Sequence, residues 1–418
     1  MLSVNMDTGP TPLPAADGHM RYIARQPIFD IHKAVFGYEL LFRSGVEDYF
    51  QCDDPEMASC TTMDRTLLLG TDWLTRGKFA FVNCTRDLLV RELVTLLPRD
   101  RTVLEILETV EPDRELVLAC EKLKRAGYIL ALDDYAGGER WEPLLHIADI
   151  IKVDFKLSDL AQRYASARRF KSRGISLLAE KVETNEEFEW ARENGYRYFQ
   201  GYFFCRPTTV SSSDVAAAEI NCLQILEAVH QPSLDLRKIE EIIKHDPSLC
   251  YRLLRYLNSA AFGVFPIRSV RHALLLLGES ELRKWISVVV AATLASRKPP
   301  ELLINALTRA QFCEAIAKRF HLDESELFLI GLLSLIDAML DHSMEKVLPK
   351  LPLSKACKDA LLGCESRYRD VLEISIAFET GDWARISELS KLLELEEAEA
   401  WPMHAAALVW ASDARMVD

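Results

Sequence analysis

The chain has 418 residues, 49% of them hydrophobic and 27% charged, with a mean hydropathy near zero: the profile of a soluble globular protein long enough for two domains. A formal net charge of −13 excludes a general surface for nucleic-acid polymers or anionic membranes, because such a face needs clustered cations, although a local basic pocket remains open. Ten scattered cysteines without a CxxC spacing predict reduced thiols and a cytoplasmic location. The most apolar run, WISVVVAATLA from Trp285 to Ala295, is about half a membrane span, so no transmembrane segment is expected.

Residues 1–19 read as a flexible leader, with Pro, Gly and Asp where a secretion signal needs an apolar core. From 20 to 208, strand-length apolar runs alternate with amphipathic segments. The runs are YIARQPIFD, VFGYELLF, KFAFVN, TVLEILE, YILALDD, DIIKVD, ISLLAEK and YRYFQGYFF, and ELVLACEKLKRAG and NEEFEWARENG lie between them. This rhythm predicts an α/β fold, a parallel sheet with right-handed crossovers and enough units to close a (β/α)8 TIM-like barrel. Residues 209–214, TVSSSD, form a linker, 215–405 show helical periodicity and predict an all-α domain, and 406–418 are set in a C-terminal tail.

Glu39, Asn83, Glu105, Asp133, Asp134, Lys152, Glu180 and Gln200 lie in or at the ends of these apolar runs. In a barrel of this kind the strand ends open on one face, where such groups converge. Carboxylates with an amide oxygen and no His or Cys make a hard oxygen site suited to Mg²⁺ or Mn²⁺. Adjacent acids such as Asp133 and Asp134 can flank two ions about 3.5–4 Å apart, which activate water and steady the leaving oxygen of a phosphodiester. Lys152 is placed to orient or deprotonate that water or to balance phosphate charge, and Arg43 to grip a phosphate. Each signal has a plainer reading: Asp-Asp as a helix cap with a solvated acid, Glu105 and Glu108 as a helix start, Gln200-Gly201 as a turn.

Taken together, the residues resemble the EAL domain, whose members hydrolyse the bacterial second messenger cyclic di-GMP to linear pGpG. The motifs are Gln26-Pro27-Ile28, Gly37-Tyr38-Glu39-Leu40-Leu41-Phe42-Arg43, Phe81-Val82-Asn83, Leu104-Glu105-Ile106-Leu107-Glu108, Leu132-Asp133-Asp134-Tyr135, Ile151-Lys152-Val153-Asp154, Ala179-Glu180-Lys181-Val182-Glu183-Thr184, and Gln200-Gly201-Tyr202 with Arg206-Pro207. The resemblance implies that Glu39, Asn83, Glu105, Asp133, Asp134 and Glu180 carry a two-metal Mg²⁺ or Mn²⁺ site, and that Lys152, Glu180 and Gln200 serve catalysis. It further implies that Gln26, Leu41, Arg43 and Asp154 meet cyclic di-GMP, that Glu108 supports the loop after the Asp pair, and that the protein is a homodimer. Departures lie in the supports. Tyr135-Ala136-Gly137-Gly138-Glu139-Arg140-Trp141 replaces the usual loop that couples dimerisation to metal binding, SGVEDYFQCDDPEMASC replaces the usual segment after the EAL motif, and Lys181 stands at the usual Gly.

The helical half resembles the HDOD domain, through Asp246-Pro247-Ser248-Leu249, Leu253 to Gly263, Ile267 to Val270, Ala273 to Gly278 and Trp285. This output module is related to HD-type phosphohydrolases. Ser334 and Leu335 follow Gly331-Leu332-Leu333 where those enzymes carry His-Asp, so no metal hydrolysis is expected there. His342 beside Asp341 and His272 near Arg268 and Arg271 read as surface or helix-face residues, Asn258-Ser259 as a helix end, and Trp285, Trp401 and Trp410 as core or interface aromatics. Two functions remain open: a metal-dependent cyclic di-GMP phosphodiesterase with the HDOD half as regulatory or output module engaging an unidentified protein, or a catalytically inactive EAL barrel that senses cyclic di-GMP or serves protein interaction.

Overall fold

The computed structural model describes residues 23–42, 74–135, 139–171, 173–206, 270–351 and 353–414, with scattered positions between 222 and 253. Arg43, the leader, the linker, residues 136–138 and most of the motif between 246 and 269 lie outside the described residues. The chain divides into two compact units.

In the first unit all eight apolar runs become strands: β1 (Ile23–Asp30), β2 (Val35–Phe42), β3 (Phe79–Cys84), β4 (Thr102–Ile106), β5 (Ile129–Leu132), β6 (Ile150–Asp154), β7 (Ser176–Glu180) and β8 (Tyr198–Gln200). They close into a barrel in chain order. The helices described between them are α1 (Arg86–Val90), α2 (Arg114–Arg125), α3 (Glu142–Leu145), α4 (Leu160–Lys171) and α5 (Asn185–Glu193). Two begin at side-chain caps, Asp113 accepting from Leu116 N in α2 and Thr184 from Glu187 N in α5.

One strand departs from the expected parallel sheet: β1 runs antiparallel to both β2 and β8. The connection explains it. Only residues 31–34 join β1 to β2, too few for the crossover that a parallel pair needs. Asp30 Oδ1 accepts from the backbone N–H groups of His32 (2.8 Å) and Ala34 (3.0 Å) and holds the hairpin, with Lys33 at φ 60.

The barrel is plugged by one buried cluster: Ile28, Phe81, Val103, Ala131, Ile150, Leu178 and Tyr198. Side chains alternate along a strand, so residues two apart share the inner face. Two positions from these plug residues stand Gln26, Asn83, Glu105, Asp133, Lys152, Glu180 and Gln200. The apolar layer therefore sets the polar layer above it. On β2 the plug position is Gly37, where an added Cβ would lie 2.7 Å from the Phe79 carbonyl oxygen and 3.0 Å from the Phe81 ring.

The second unit is helical: α6 (Val270–Leu294), α7 (Pro300–Phe320), α8 (Glu324–Leu333), α9 (Ile336–Leu340), α10 (Met344–Val347), α11 (Lys355–Leu361), α12 (Arg367–Thr380), α13 (Trp383–Leu393) and α14 (Glu397–Ala414). Gly278, at φ 74, breaks α6 into two helical stretches. Gly331 lets α8 approach α7 closely, since a Cβ there would meet Ala310 Cα at 2.5 Å. The final helix runs through residues 406–414, which the sequence reading set in a tail. Ala400, His404, Ala407 and Ala411 are all buried, so one helical seam stays packed past residue 405. No helix among the described residues is long and apolar enough to cross a membrane.

Gly37→Ala forces Phe79 and Phe81 to shift in a filled barrel. It is expected to lower the stability of the barrel by about 1–3 kcal/mol, measured by urea denaturation against wild type.

Candidate active site

The polar layer is organised around Lys152. Its position on β6, one alternation above Ile150, points the side chain inward, where it is 1% exposed. The ammonium lies 2.9 Å from Glu105 Oε1, 2.9 Å from Asp133 Oδ1, 2.9 Å from Glu180 Oε1 and 3.6 Å from Glu39 Oε2. Glu39 is held from two further sides. Gln200 Nε2 donates to its Oε2 (2.7 Å) and Asn83 Nδ2 to its Oε1 (2.9 Å). Gln200 Nε2 also donates to Gln26 Oε1 at 3.0 Å, so β1, β2, β3 and β8 meet in one amide–carboxylate chain.

One ammonium among four carboxylates leaves negative charge to be balanced. Burial pushes the Lys152 pKa down, but Glu105, Glu180, Glu39 and Asp133 together hold it well above the ordinary lysine value. Burial first, and then the charge of Glu39, push Glu105 well above the usual carboxylate range, with Lys152 opposing. Burial likewise raises Glu180 to about 8 against the pull of Lys152, with Asp133 and Glu39 adding to the rise. Glu39 goes the other way. Burial raises it, yet Lys152 and the hydrogen bonds from Gln200 and Asn83 bring it below its ordinary value. Burial and mutual repulsion thus push Glu105 and Glu180 up, while Lys152 and two amides hold Glu39 down.

The remaining oxygens fit a divalent ion. Asn83 Oδ1, Glu105 Oε2 and Glu180 Oε2 are buried and accept no hydrogen bond. Glu105 Oε1 is close to Lys152 but similarly lacks an aligned hydrogen bond. Asp133, Asp134 and Glu180 each offer a carboxylate oxygen, all within 4.8 Å of one another. Hard oxygen donors left unsatisfied in one place are what Mg²⁺ or Mn²⁺ coordinates.

The rim explains the sequence departures in part. Asp134 (φ 42) and Lys181 (φ 53) both adopt left-handed backbone, which costs a side-chain-bearing residue about 1–2 kcal/mol and suits glycine. Lys181 donates to Asp154 Oδ2, and Asp154 Oδ1 accepts from Lys156 N (2.6 Å) and Leu157 N (3.1 Å). Asp154 is therefore engaged on both oxygens. Burial and the neighbouring Asp133 raise the Asp134 pKa, with Lys181 opposing. Gly201, at φ 143, is required: its Cβ would lie 2.1 Å from the Val182 carbonyl oxygen, across the contact where Val182 N donates to Gln200 O (3.0 Å).

Of the other sequence candidates, Leu41 is half-buried at the end of β2, and Glu108 is exposed in the turn after β4, within electrostatic reach of Asp134. The described residues on either side of 136–138 make side-chain contacts. Arg169 Nη1 donates to Tyr135 Oη (2.8 Å), and Arg140 Nη2 donates to the Val110 carbonyl (2.8 Å). Sequence reasoning found the acids but not the Lys181–Asp154 pair. A lysine at a usual glycine beside a strand-end acid was the available signal.

In the helical unit Ser334 caps the end of α8, its hydroxyl donating to Gly331 O (2.8 Å) and accepting from Arg309 Nη1 (3.2 Å). Among the described residues the metal-compatible group lies in the barrel. Trp285 is buried, and Trp401, Trp410, His272 and His342 are half-buried.

Lys152→Met removes the cation from buried acids and is expected to cost about 3–5 kcal/mol of stability, read by chemical denaturation. Glu180 gives a pH signature. Its folded pKa of about 8 exceeds the ordinary 4.5, so between these values the folded chain binds more protons than the unfolded one. The resulting stabilisation is greatest on the acid side and is lost as pH rises through about 8. Metal-free wild type should lose more stability between pH 5 and about 8 than Glu180→Gln does, in denaturation curves recorded across that range.

Comparison with known proteins agrees with this architecture. The EAL domain family matches residues 85–207 and the HDOD domain family residues 219–358. The chain is 36% identical over 396 residues to "Cyclic di-GMP phosphodiesterase CdgJ" of Vibrio cholerae, covering 91% of this chain and 92% of that protein. It is 33% identical over 400 residues to YuxH of Bacillus subtilis, an uncharacterised protein, covering 93% and 97%. A solved structure of Klebsiella pneumoniae BlrP1, a calcium/cy-diGMP complex at pH 8.0, is 26% identical over 48% of this chain and 58% of that one, with a TM-score of 0.35. With eight strands closed around the acid layer, a helical second unit and relatives matched along nearly their full length, the chain belongs to the family of EAL–HDOD proteins that includes CdgJ.

Proposed function

We propose that this protein is a metal-dependent phosphodiesterase that hydrolyses cyclic di-GMP to linear pGpG in its barrel, with the HDOD unit as regulatory or output module. The observation that carries the reading is the convergence of Glu39, Glu105, Asp133 and Glu180 on Lys152, with buried oxygens of Asn83, Glu105 and Glu180 left without hydrogen bonds. The near full-length similarity to CdgJ supports the substrate.

Glu39, Asn83, Glu105, Asp133, Asp134 and Glu180 would hold Mg²⁺ or Mn²⁺. When bound, such ions lower the pKa of water and stabilise the leaving oxygen of a phosphodiester. The chain's own residues supply position and charge. Gln200, fixed by Glu39 and Gln26, presents an amide beside the acids to orient water or substrate. Lys152 is held in its ammonium form by its carboxylate neighbours, which supports orienting water and balancing phosphate charge over removing a proton. Leu41, Gln26, Asp154 and Arg43 would meet the nucleotide, Glu108 would support the loop after Asp134, and Glu180 would join Lys152 and Gln200 in catalysis. Hydrolysis adds the hydroxyl of water to phosphorus and its proton to the departing ribose oxygen, opening the ring once.

A cytoplasmic homodimer that engages a protein partner through the HDOD unit completes the proposal. Buried thiols at Cys120, Cys313 and Cys357 support a reducing compartment. A second reading, nucleotide sensing without turnover, is favoured by Lys181 at the rim and by Lys152 already ion-paired to the acids.

Purified protein incubated with cyclic di-GMP and Mg²⁺ or Mn²⁺ should yield pGpG by chromatography, with Glu39→Ala slower by at least about a hundredfold. Nucleotide binding without product would establish the sensor instead, and absence of both would overturn the proposal.

A further inference from the structure

Lys181 brings a second cation to the acid layer. Its side chain is 51% exposed, yet the ammonium is ion-paired with Asp154, whose side chain is 4% exposed. Asp154 is itself pinned by two backbone N–H groups on its other oxygen. The lysine is therefore tethered to a carboxylate held by two backbone N–H groups. Its backbone, at φ 53, is one that glycine adopts freely and other residues resist. Lys181 directly follows Glu180, and its charge acts on Asp134 and Glu180 as well as Asp154. Asp134 and Glu180, with Asp133, supply the three clustered carboxylate oxygens.

We propose that Lys181 is a tethered counter-ion that competes with a divalent cation for the Asp134 and Glu180 carboxylates, and so weakens metal binding at the mouth of the barrel. This rests on the metal-binding reading of the site. The ammonium acts in two ways: it partly satisfies the acids, and it repels an incoming dication. Both effects fall off with solvent screening, because the side chain is half exposed. By Coulomb's law at an intermediate effective dielectric, a unit charge held beside a dication still shifts its affinity by about tenfold.

The test is Mn²⁺ binding to the full chain, followed by calorimetry and by the paramagnetic resonance signal of free Mn²⁺, with metal-free thermal unfolding beside it. Lys181→Met removes the charge but keeps a side chain on left-handed backbone; Lys181→Gly removes both; Lys181→Arg keeps the charge. The expected result is about tenfold tighter Mn²⁺ binding in the Met and Gly variants, and wild-type affinity in the Arg variant. Unchanged or weaker binding in the Met variant overturns the proposal, as does tightening in Gly alone, which would trace the effect to the backbone. Failure of the underlying reading looks different: wild type, all three variants and Glu105→Gln would bind no Mn²⁺, and the proposal would fall with the metal site. Lower unfolding temperatures in both Met and Gly without a change in Mn²⁺ affinity would make the Lys181–Asp154 pair structural and overturn the counter-ion role.

Discussion

Charge balance in the barrel is the constraint on which the site depends. Four carboxylates share one buried ammonium, and three of them reach Lys152 at 2.9 Å. Desolvation makes uncompensated buried charge expensive, so the group must draw in protons or further cations. The raised acids, Glu105 and Glu180, and the lowered one, Glu39, are two sides of that demand. Such a layer carries a stability cost that further positive charge would relieve.

The same alternation that packs the plug delivers the chemistry. Val103, Ala131, Ile150 and Leu178 fill the barrel, and two residues further along each strand stand Glu105, Asp133, Lys152 and Glu180. A one-residue slip in any strand would send its polar group outward and an outer residue into the plug. Register and function are therefore one requirement. Gly37 and Gly201 serve it at the strand level. The first makes room for Phe79 and Phe81, and the second lets β8 lie against Val182 so that Gln200 reaches Glu39.

Much of this was legible in the sequence. Apolar runs of strand length reveal buried strands, and acids at their ends are conspicuous because burial offers them no cheap role. The eight runs and the convergence of Glu39, Glu105, Asp133, Lys152 and Glu180 follow from that contrast. The direction of β1 did not emerge, because apolar pattern is blind to strand polarity; the four-residue connection was the deciding fact. Nor could the pattern assign partners. Lys181 was visible as a cation beside Glu180, but its attachment to Asp154 depends on left-handed backbone at 181 and on adjacent strands placing Asp154 opposite Glu180. The last helix was cut short for a related reason: alanines such as Ala407 and Ala411 carry little apolar signal yet pack a seam through their small size.

The helical unit shows the opposite solution to burying polar groups. At the position that the resemblance to HD-type phosphohydrolases assigns to a His-Asp pair, Ser334 turns its hydroxyl back to the Gly331 carbonyl and takes a hydrogen bond from the buried Arg309. Arg309 in turn lies close enough to Asp337 to oppose the rise that burial imposes on that acid. A guanidinium that cannot give up its proton supplies a permanent positive charge at this position, where a metal centre would need anionic or neutral donors. In the barrel, acids outnumber the buried cation and await more positive charge; in the helical unit, a fixed cation already faces the nearby acid. Among the described residues the clustered carboxylate oxygens lie in the barrel, whereas the position of Ser334 carries a guanidinium beside it, and this difference in charge follows from the side chains themselves.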